Sequence, residues 1–532
     1  MKSGNGYIQA PAVLVDDETV SDSYPSDLNT IVLFVVFFTT FLVFKSTTFH
    51  TVTWWDNAEY ITAAFTLGHP HPPGSLLLTL MGYLLVQISL NLPVAYLLNL
   101  FAGILASLTV CLLSTTGIRL LTQQFAAFSR DVQAEVFLIP MLGTILAALI
   151  FGFGGTYWSF ANRFTPYILT AFFTSGILWA MLKWWDASAT GGGDHWLFII
   201  TLLFGLDFSV HRTNLILLPG LLIWILIRSP RTLSSMRSFA YLTAGLILGL
   251  LFHLLIIPIA AAEPFINFNH PDTLHRFWEY VTLKQYGGQW LISVFPREAP
   301  FWQNQIFHIT QVFSDSYFIR DTIFGYAGYL PGILMVTGFV LLWLRNWKFS
   351  AALSVLFLLS TVGMIFYLNP PADYFRSLDR HFLPALVISG IWLIYGAGTV
   401  LLEIWHRQSR FRALTAMTAV LLLALALASQ VHHNKPRNDG SNRSFAYDYA
   451  LNFFRSLPPH TILFTAADMD TYPLWYLQSV EGVRPDVTVC NIHLMNTPWY
   501  IHQMKQRDPD LPLELSVEEI EDLRPIPWQD TT

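Results

Sequence analysis

Apolar residues fall in long runs divided by short polar stretches. Runs near 29–45, 95–120, 136–154, 165–184, 196–210, 212–228, 238–260, 324–344, 350–368, 382–402 and 412–430 approach the roughly 20 residues a helix needs to cross hydrocarbon. They predict an α-helical polytopic membrane protein with about 11 transmembrane helices. The run at 196–210 is short and holds Asp207, so a tilted or partly unwound helix is expected there. A further apolar segment, Ser75 to Leu90, decides the topology: if it crossed, every later loop would change sides.

Basic residues place that segment on the outer face. With Ser75 to Leu90 held there, Arg119 with Arg130, then Lys183, then Arg228, Arg231 and Arg237, then Arg345 and Lys348, then Arg407, Arg410 and Arg412 all lie inside. The outer segments are then 46–94, 157–165, the connection at His211, 262–322, 369–381 and everything after Gln430. The polar, acidic tail 1–28 stays inside; it lacks a basic start and a small-residue cleavage site, so the first run is expected to remain as an anchor. Short juxtamembrane helices are expected on the outer face. Beyond Val431 hydropathy falls and prolines become frequent, which predicts a transmembrane domain over 29–430 and a small soluble domain over 431–532. Within the latter, a strand at 461–466, a helix at 472–480 and a strand at 487–492 suggest an α/β unit.

Composition agrees, with 53% apolar and only 12% charged residues. The net charge of −6 comes with no basic stripe, so nucleic acid is not an expected partner, whereas membrane lipid is. Two cysteines, Cys111 and Cys490, can build neither a disulfide framework nor a cysteine metal site. No internal repeat is evident, which removes one pointer to an inverted-repeat transporter.

Candidate chemistry concentrates in the first outer loop. Trp54-Trp55-Asp56-Asn57-Ala58-Glu59-Tyr60 puts two carboxylates on one face of a short helix, beside tryptophans suited to the headgroup layer. Apolar surroundings tune such a carboxylate towards general-base work; the plainer reading is a helix cap with a solvated acid. Next, Gly68-His69-Pro70-His71-Pro72-Pro73-Gly74 holds two histidines on a stiff backbone, where they could donate to phosphate or simply belong to a connector. Asp207, His211 and Arg212 meet at the outer end of two short runs, with Arg163 in the preceding outer loop. Charges so placed suit a phosphate-bearing ligand or, equally, interfacial snorkelling. Lys284 and Tyr286, before two glycines, form a candidate mobile lid. Asp379 and Arg380 belong to a charged loop that could bind a headgroup or sugar, or form surface ion pairs. Asp468 and Asp470 read as helix-capping acids.

These stretches resemble the transmembrane O-mannosyltransferase-like proteins of bacteria and eukaryotes, formerly a domain of unknown function. The resemblance lies in Asp56, Ala58, Glu59 and Tyr60, in Leu67-Gly68 and His71-Pro72-Pro73-Gly74, in Trp158-Ser159 with Tyr167-Ile168-Leu169, in Gly205 to Pro219, and in Asp379-Arg380. It continues in Ile462-Leu463-Phe464-Thr465, Pro473-Leu474-Trp475-Tyr476, Arg484-Pro485-Asp486-Val487 and Trp499-Tyr500. One departure is Thr165, where many relatives carry a Glu two residues before the tyrosine.

The resemblance implies a GT-C glycosyltransferase fold and a polyprenyl- or dolichyl-phosphate hexose, mannose first among them, as donor. It implies inverting transfer on the outer face to a Ser or Thr hydroxyl of a protein, or to a glycolipid acceptor. Asp56 would be the base, Glu59 would orient the acceptor or assist, and His71 with an arginine such as Arg212 would neutralise the leaving phosphate; His69, Arg163 and His211 join them as candidate phosphate-binding residues. No metal or other cofactor is expected, because the leaving group is already activated. The membrane would be the bacterial inner membrane, or the endoplasmic reticulum in a eukaryote. A lipid-linked-sugar flippase, a transporter and a non-catalytic assembly factor are the competing classes. The dense outer loops argue against a transporter.

Overall fold

The computed structural model describes residues 26–88, 90–128, 135–284, 301–320, 323, 325–368, 378–406 and 410–523. Ser26–Thr47 (α1) begins with a polar turn, is apolar from Ile31 to Phe44 apart from two threonines, and carries Lys45 in its last turn. Asp56–Thr66 (α2) and Leu76–Gln87 (α3) follow. With 12 residues α3 is about 18 Å long, too short for about 30 Å of hydrocarbon. Its start is fixed beside the end of a later helix, where the Ser75 hydroxyl donates to the Val210 carbonyl at 2.8 Å. The apolar segment expected not to cross is therefore this helix.

Val94–Phe128 (α4) is followed by Glu135–Gly152 (α5) and Gly155–Ala161 (α6), a pair bent by 70°. Pro166–Ala187 (α7) starts on its proline, where the missing N–H has no intrahelical partner to lose. Asp194–Phe208 (α8), a 3-10 turn over Arg212–Leu217 and Leu218–Arg228 (α9) follow; α8 packs on α7, and α9 on a later helix. The short Arg231–Ser234 (α10), then Met236–His253 (α11) and Ile256–Ala261 (α12), lead to Leu274–Val281 (α13) and Phe301–Tyr317 (α14). Leu330–Arg345 (α15), Trp347–Leu358 (α16), Met364–Leu368 (α17), Leu383–His406 (α18) and Arg412–Asn438 (α19) complete the membrane part.

Among the described residues, eight helical segments are long and apolar enough to cross a membrane, or nine with the bent α5–α6 pair. The difference from about 11 lies in α8 and α9, with 15 and 11 residues. Asp207 and the polar turn after it shorten both. Asp207 is buried, accepting from the Asn214 amide at 2.6 Å and the Thr170 hydroxyl at 3.1 Å, while the Thr174 hydroxyl donates to Asn214 Oδ1 at 2.9 Å. Such a carboxylate is tolerable only because these donors replace water. At the far end of α9 the Arg228 guanidinium donates to the Trp185 carbonyl at 2.9 Å and Ser188 Oγ at 3.1 Å, beside the Arg119–Asp186 ion pair near the end of α7.

The α8 and α11 backbones nearly touch. A Cβ on Gly205 would stand 2.7 Å from the Gly249 Cα, and one on Gly245 2.3 Å from the Phe198 carbonyl oxygen. Replacing Gly249 with Leu is expected to force the two helices apart and destabilise the protein by about 1–3 kcal/mol or more. Thermal unfolding in detergent would show it as a lowered midpoint; an unchanged midpoint would contradict the close approach.

The boundary expected near Val431 falls later. α19 runs unbroken to Asn438, and the fall in hydropathy marks polar anchoring of the helix rather than its end. Gln430 donates to the Ser316 carbonyl at 3.0 Å and Asn434 to the Phe153 carbonyl at 2.9 Å, both buried. Beyond it lie Phe445–Ser456 (α20), Ile462–Thr465 (β1), Asp468–Ser479 (α21), Thr488–Asn491 (β2), Pro498–Arg507 (α22) and Val517–Glu521 (α23). The strands pair in parallel, Ile462 opposite Thr488, with α21 as their connection, so the expected α/β unit is present. α21 packs on α2, and one hydrophobic core runs from the membrane helices through α2 into this domain.

Candidate active site

α2 is held by amide side chains. The Thr53 N–H donates to Asn57 Oδ1 at 2.9 Å, and Asn57 Nδ2 reaches both Asn99 Oδ1 and the Phe164 carbonyl at 3.1 Å. Trp55, at φ 66°, occupies the cap position, so Asp56 is the first helical residue and not the cap. An acid there gains from the helix dipole. Asp56 is 6% exposed, and the Tyr167 hydroxyl donates to its Oδ2 at 3.4 Å.

Glu59, one turn on, is wholly buried, and both its oxygens accept from one residue. The His71 backbone N–H lies 2.7 Å from Oε1, and ring Nδ1 lies 2.6 Å from Oε2. Of the two roles expected of Glu59, orienting the acceptor or assisting, this placement favours assistance through His71. Burial opposes charge on His71, but the Glu59 carboxylate in contact, with Asp56 and Asp468 beyond, outweighs it and raises His71 to about 9. Burial also raises Glu59, offset in part by His71. Both displacements mean that the folded pair keeps protons the unfolded chain releases.

The strap carrying His71 is fixed from behind. His69 pairs with the chain at Asn267: its N–H donates to the Ile266 carbonyl at 2.7 Å, and the Phe268 N–H donates to the His69 carbonyl at 3.3 Å. The Tyr280 hydroxyl donates to the Pro70 carbonyl at 2.6 Å. Gly74, at φ +95°, lies where a Cβ would meet that hydroxyl at 2.3 Å. His69 itself is completely buried, its Nε2 3.1 Å from the Ile256 carbonyl, and burial pushes it down to about 4. It is a neutral packing residue, so the phosphate-binding role read for it is corrected by its placement.

On the other side of Asp56 stands a cationic and aromatic group. The Tyr167 ring meets His211 at 5.2 Å and His381 at 6.2 Å, and the Arg380 guanidinium lies over it at 5.5 Å. Arg380 Nε donates to His381 Nε2 at 3.3 Å, and its backbone N–H to Asp379 Oδ1 at 2.9 Å. Arg163 bonds the Ser159 carbonyl at 2.8 Å and lies within electrostatic range of Asp379, Arg380, Tyr167 and Asp56. His211 is neutral: burial first, then Arg380, His71 and Arg212, push it down to about 3. Its Nδ1 lies 2.5 Å from the Thr213 hydroxyl and 3.2 Å from the Thr213 N–H, which fixes the ring from that side. Arg212 is buried over the Phe208 ring at 5.7 Å, in electrostatic range of His211.

Asp56, His71, Arg163, His211, Arg212, Asp379 and Arg380 thus gather around one region. Lys284 does not join them: it is exposed and pairs with Glu279 on α13. Tyr286 lies outside the described residues. Tyr167, His381 and Asp468 are additions that only the fold brings in. The family-like Tyr167-Ile168-Leu169 stretch was the one signal for Tyr167. Asp468 and Asp470 occupy the first turn of α21 behind Ala467, neither acting as the cap residue. Among the described residues, no three His, Cys, Asp or Glu side chains are grouped to hold a metal ion.

Residues 56–234, from the Asp56 that opens α2, match the family described as the Protein O-mannosyl-transferase TMEM260 N-terminal domain, and residues 446–522 match the TMEM260-associated domain 2. The chain is similar to the TMEM260 family in both parts. The protein O-mannosyl-transferase tmem260 of Dictyostelium discoideum is 24% identical over 511 residues, 88% of this chain and 58% of that protein. TMEM260 of Mus musculus is 23% identical over 466 residues, 85% of this chain and 61% of that protein. The chain therefore spans about three-fifths of the length of these TMEM260 relatives. The fold is similar to ArnT of Cupriavidus metallidurans in the apo state, with a TM-score of 0.52 and 13% identity over 89% of this chain and 90% of that one. For ArnT bound to undecaprenyl phosphate the TM-score is 0.50, with 12% identity over 88% and 91%. The TMEM260-type chain accordingly has a GT-C type fold.

Proposed function

We propose that this chain is a membrane glycosyltransferase that moves a hexose, mannose in the first instance, from polyprenyl or dolichyl phosphate to a Ser or Thr hydroxyl of a protein on the outer face. The observation that carries this reading is the division of the site. A buried carboxylate, Asp56, stands opposite Arg163 and Arg380, with Tyr167 between. The relatives named O-mannosyl-transferases and the fold shared with an undecaprenyl-phosphate-binding protein support it.

Asp56 takes the proton of the acceptor hydroxyl as that oxygen bonds the anomeric carbon. The bond from that carbon to the phosphate oxygen breaks on the opposite side, so configuration inverts and the electron pair leaves with the lipid phosphate. Negative charge grows on that phosphate, where Arg163, Arg380, Arg212 and the His71 imidazolium act, with neutral His211 beside them. The scheme draws its positive charge from these side chains and calls on no cofactor.

The deciding experiment supplies the purified protein in lipid nanodiscs with polyprenyl-phosphate mannose and Ser/Thr-containing acceptor proteins. Lipid phosphate should be released in step with mannosylated acceptor of inverted anomeric configuration. Transfer only to a glycolipid would replace the protein acceptor, and no release with any donor would favour a flippase or scaffold. Replacing Arg380 by Gln is expected to lower kcat/KM about 10²–10³-fold, the loss typical of one donor to a developing oxyanion. Steady-state kinetics at fixed acceptor would check it.

A further inference from the structure

The C-terminal domain grips the helix and strap that carry the site. On one flank Trp54 meets the Tyr449 ring of α20 at 5.2 Å, and the Tyr449 hydroxyl donates to Asp470 Oδ1 at 3.1 Å. On the other, Phe268 stands 6.4 Å from the His71 ring and packs on Trp475 of α21 at 6.3 Å and Trp499 of α22 at 5.0 Å. Between the flanks α21 lies on α2, and its first turn brings Asp468 within electrostatic range of His71.

The ionisable groups facing His71 are Glu59, Asp56 and Tyr60 from α2, Asp468 from α21 and His211 from the turn after α8. Three carboxylates thus attend one imidazole. Glu59 is in contact with Nδ1 and Asp56 is needed for the acceptor, whereas Asp468 comes to the same ring from the C-terminal domain, at the first turn of the helix that lies on α2.

We propose that the C-terminal domain is a working part of the transfer site, supplying Asp468 as a positioning residue that keeps the His71 imidazolium charged and aimed at the donor. Docking of the domain and competence of the site are then one event: a domain lifted off α2 takes its carboxylate away, and His71 loses charge at a pH where the leaving phosphate needs it. A domain that served only to stabilise the fold would leave the His71 titration untouched.

The inference rests on the transfer reading for its kinetic arm only. The direct test uses the full chain in nanodiscs with ¹⁵N-histidine, the His71 signal being assigned by its loss in His71→Gln. Asp468→Asn should lower the His71 titration midpoint by roughly a few tenths of a pH unit, less than loss of the Glu59 carboxylate in contact would. Asp468→Glu should restore it, and Asp470→Asn, two residues on and bonded to Tyr449, should leave it in place. In the kinetic arm, the alkaline limb of kcat/KM for polyprenyl-phosphate mannose should move to lower pH by the same amount. A midpoint unchanged in Asp468→Asn, or moved equally by Asp470→Asn, overturns the proposal. Absence of transfer by the unaltered protein would sink the functional reading instead, with the NMR arm still deciding the role of Asp468.

Discussion

Asp56→Asn is expected to lower kcat for lipid-phosphate release by about 10²–10⁴-fold, the range a positioned general base supplies. The substitution keeps shape and burial while removing the acceptor for the hydroxyl proton. Asn can still accept from the Tyr167 hydroxyl, so the 3.4 Å contact and the start of α2, which depends on Asn57, should survive. Melting midpoint and gel-filtration profile should therefore match the unaltered protein, and donor KM should move little. A kcat within tenfold of the unaltered protein would remove Asp56 from the role of base.

Glu59→Gln should act through His71. A Gln carbonyl can still accept from the His71 backbone N–H, so the strap keeps one of its bonds, but the charge that offsets burial is gone. His71, at about 9 when Glu59 is present, should fall towards or below its ordinary 6.5. The sign of the stability effect follows. A histidine raised on folding stabilises fully below its unfolded value and loses that contribution as pH climbs through the folded one, here between 6.5 and about 9. The displacement corresponds to up to about 3 kcal/mol. Raised Glu59 works in the same direction, since its protons too are held more tightly in the folded state. Thermal midpoints from pH 6 to 10 should thus decline in the unaltered protein and flatten in Glu59→Gln, with transfer at pH 8 falling alongside. A parallel decline in both would mean that the pair does not set the slope.

Much of this architecture is legible in run lengths and basic residues, because hydrocarbon thickness and loop charge act on the chain locally. The non-crossing α3 shows this, being placed by Arg119 and its successors rather than by its own hydropathy. The site is legible in part for the same reason: Asp56, His71, Arg163 and His211 each fall in a short segment between apolar runs, and the fold brings these segments together. What pairs with what was not. Glu59 finds His71 across 12 positions only because the strap is pinned at Asn267 and Tyr280, far along the chain. His69 and His71 have nearly the same neighbours in sequence, yet one packs on Ile256 and the other reaches the site. Asp468 and Asp470 sit in a helix start that reads as ordinary, and α21 acquires its meaning only by docking on α2. The apolar runs at α8 and α9 are real, but they form helices shorter than the hydrocarbon thickness.

That shortness has a consequence for the surrounding lipid. Fifteen residues of α8 rise about 22 Å against about 30 Å of hydrocarbon, and the far end is anchored where Asp194 pairs with Arg237 at 3.1 Å. For α8 to cross, the bilayer beside it would have to thin towards His211 and Arg212, its acyl chains compressing or tilting at a cost of fractions of a kcal/mol per ångström. On the proposed reading that thinning falls where the donor's phosphate would be received, so transfer should slow in thicker bilayers.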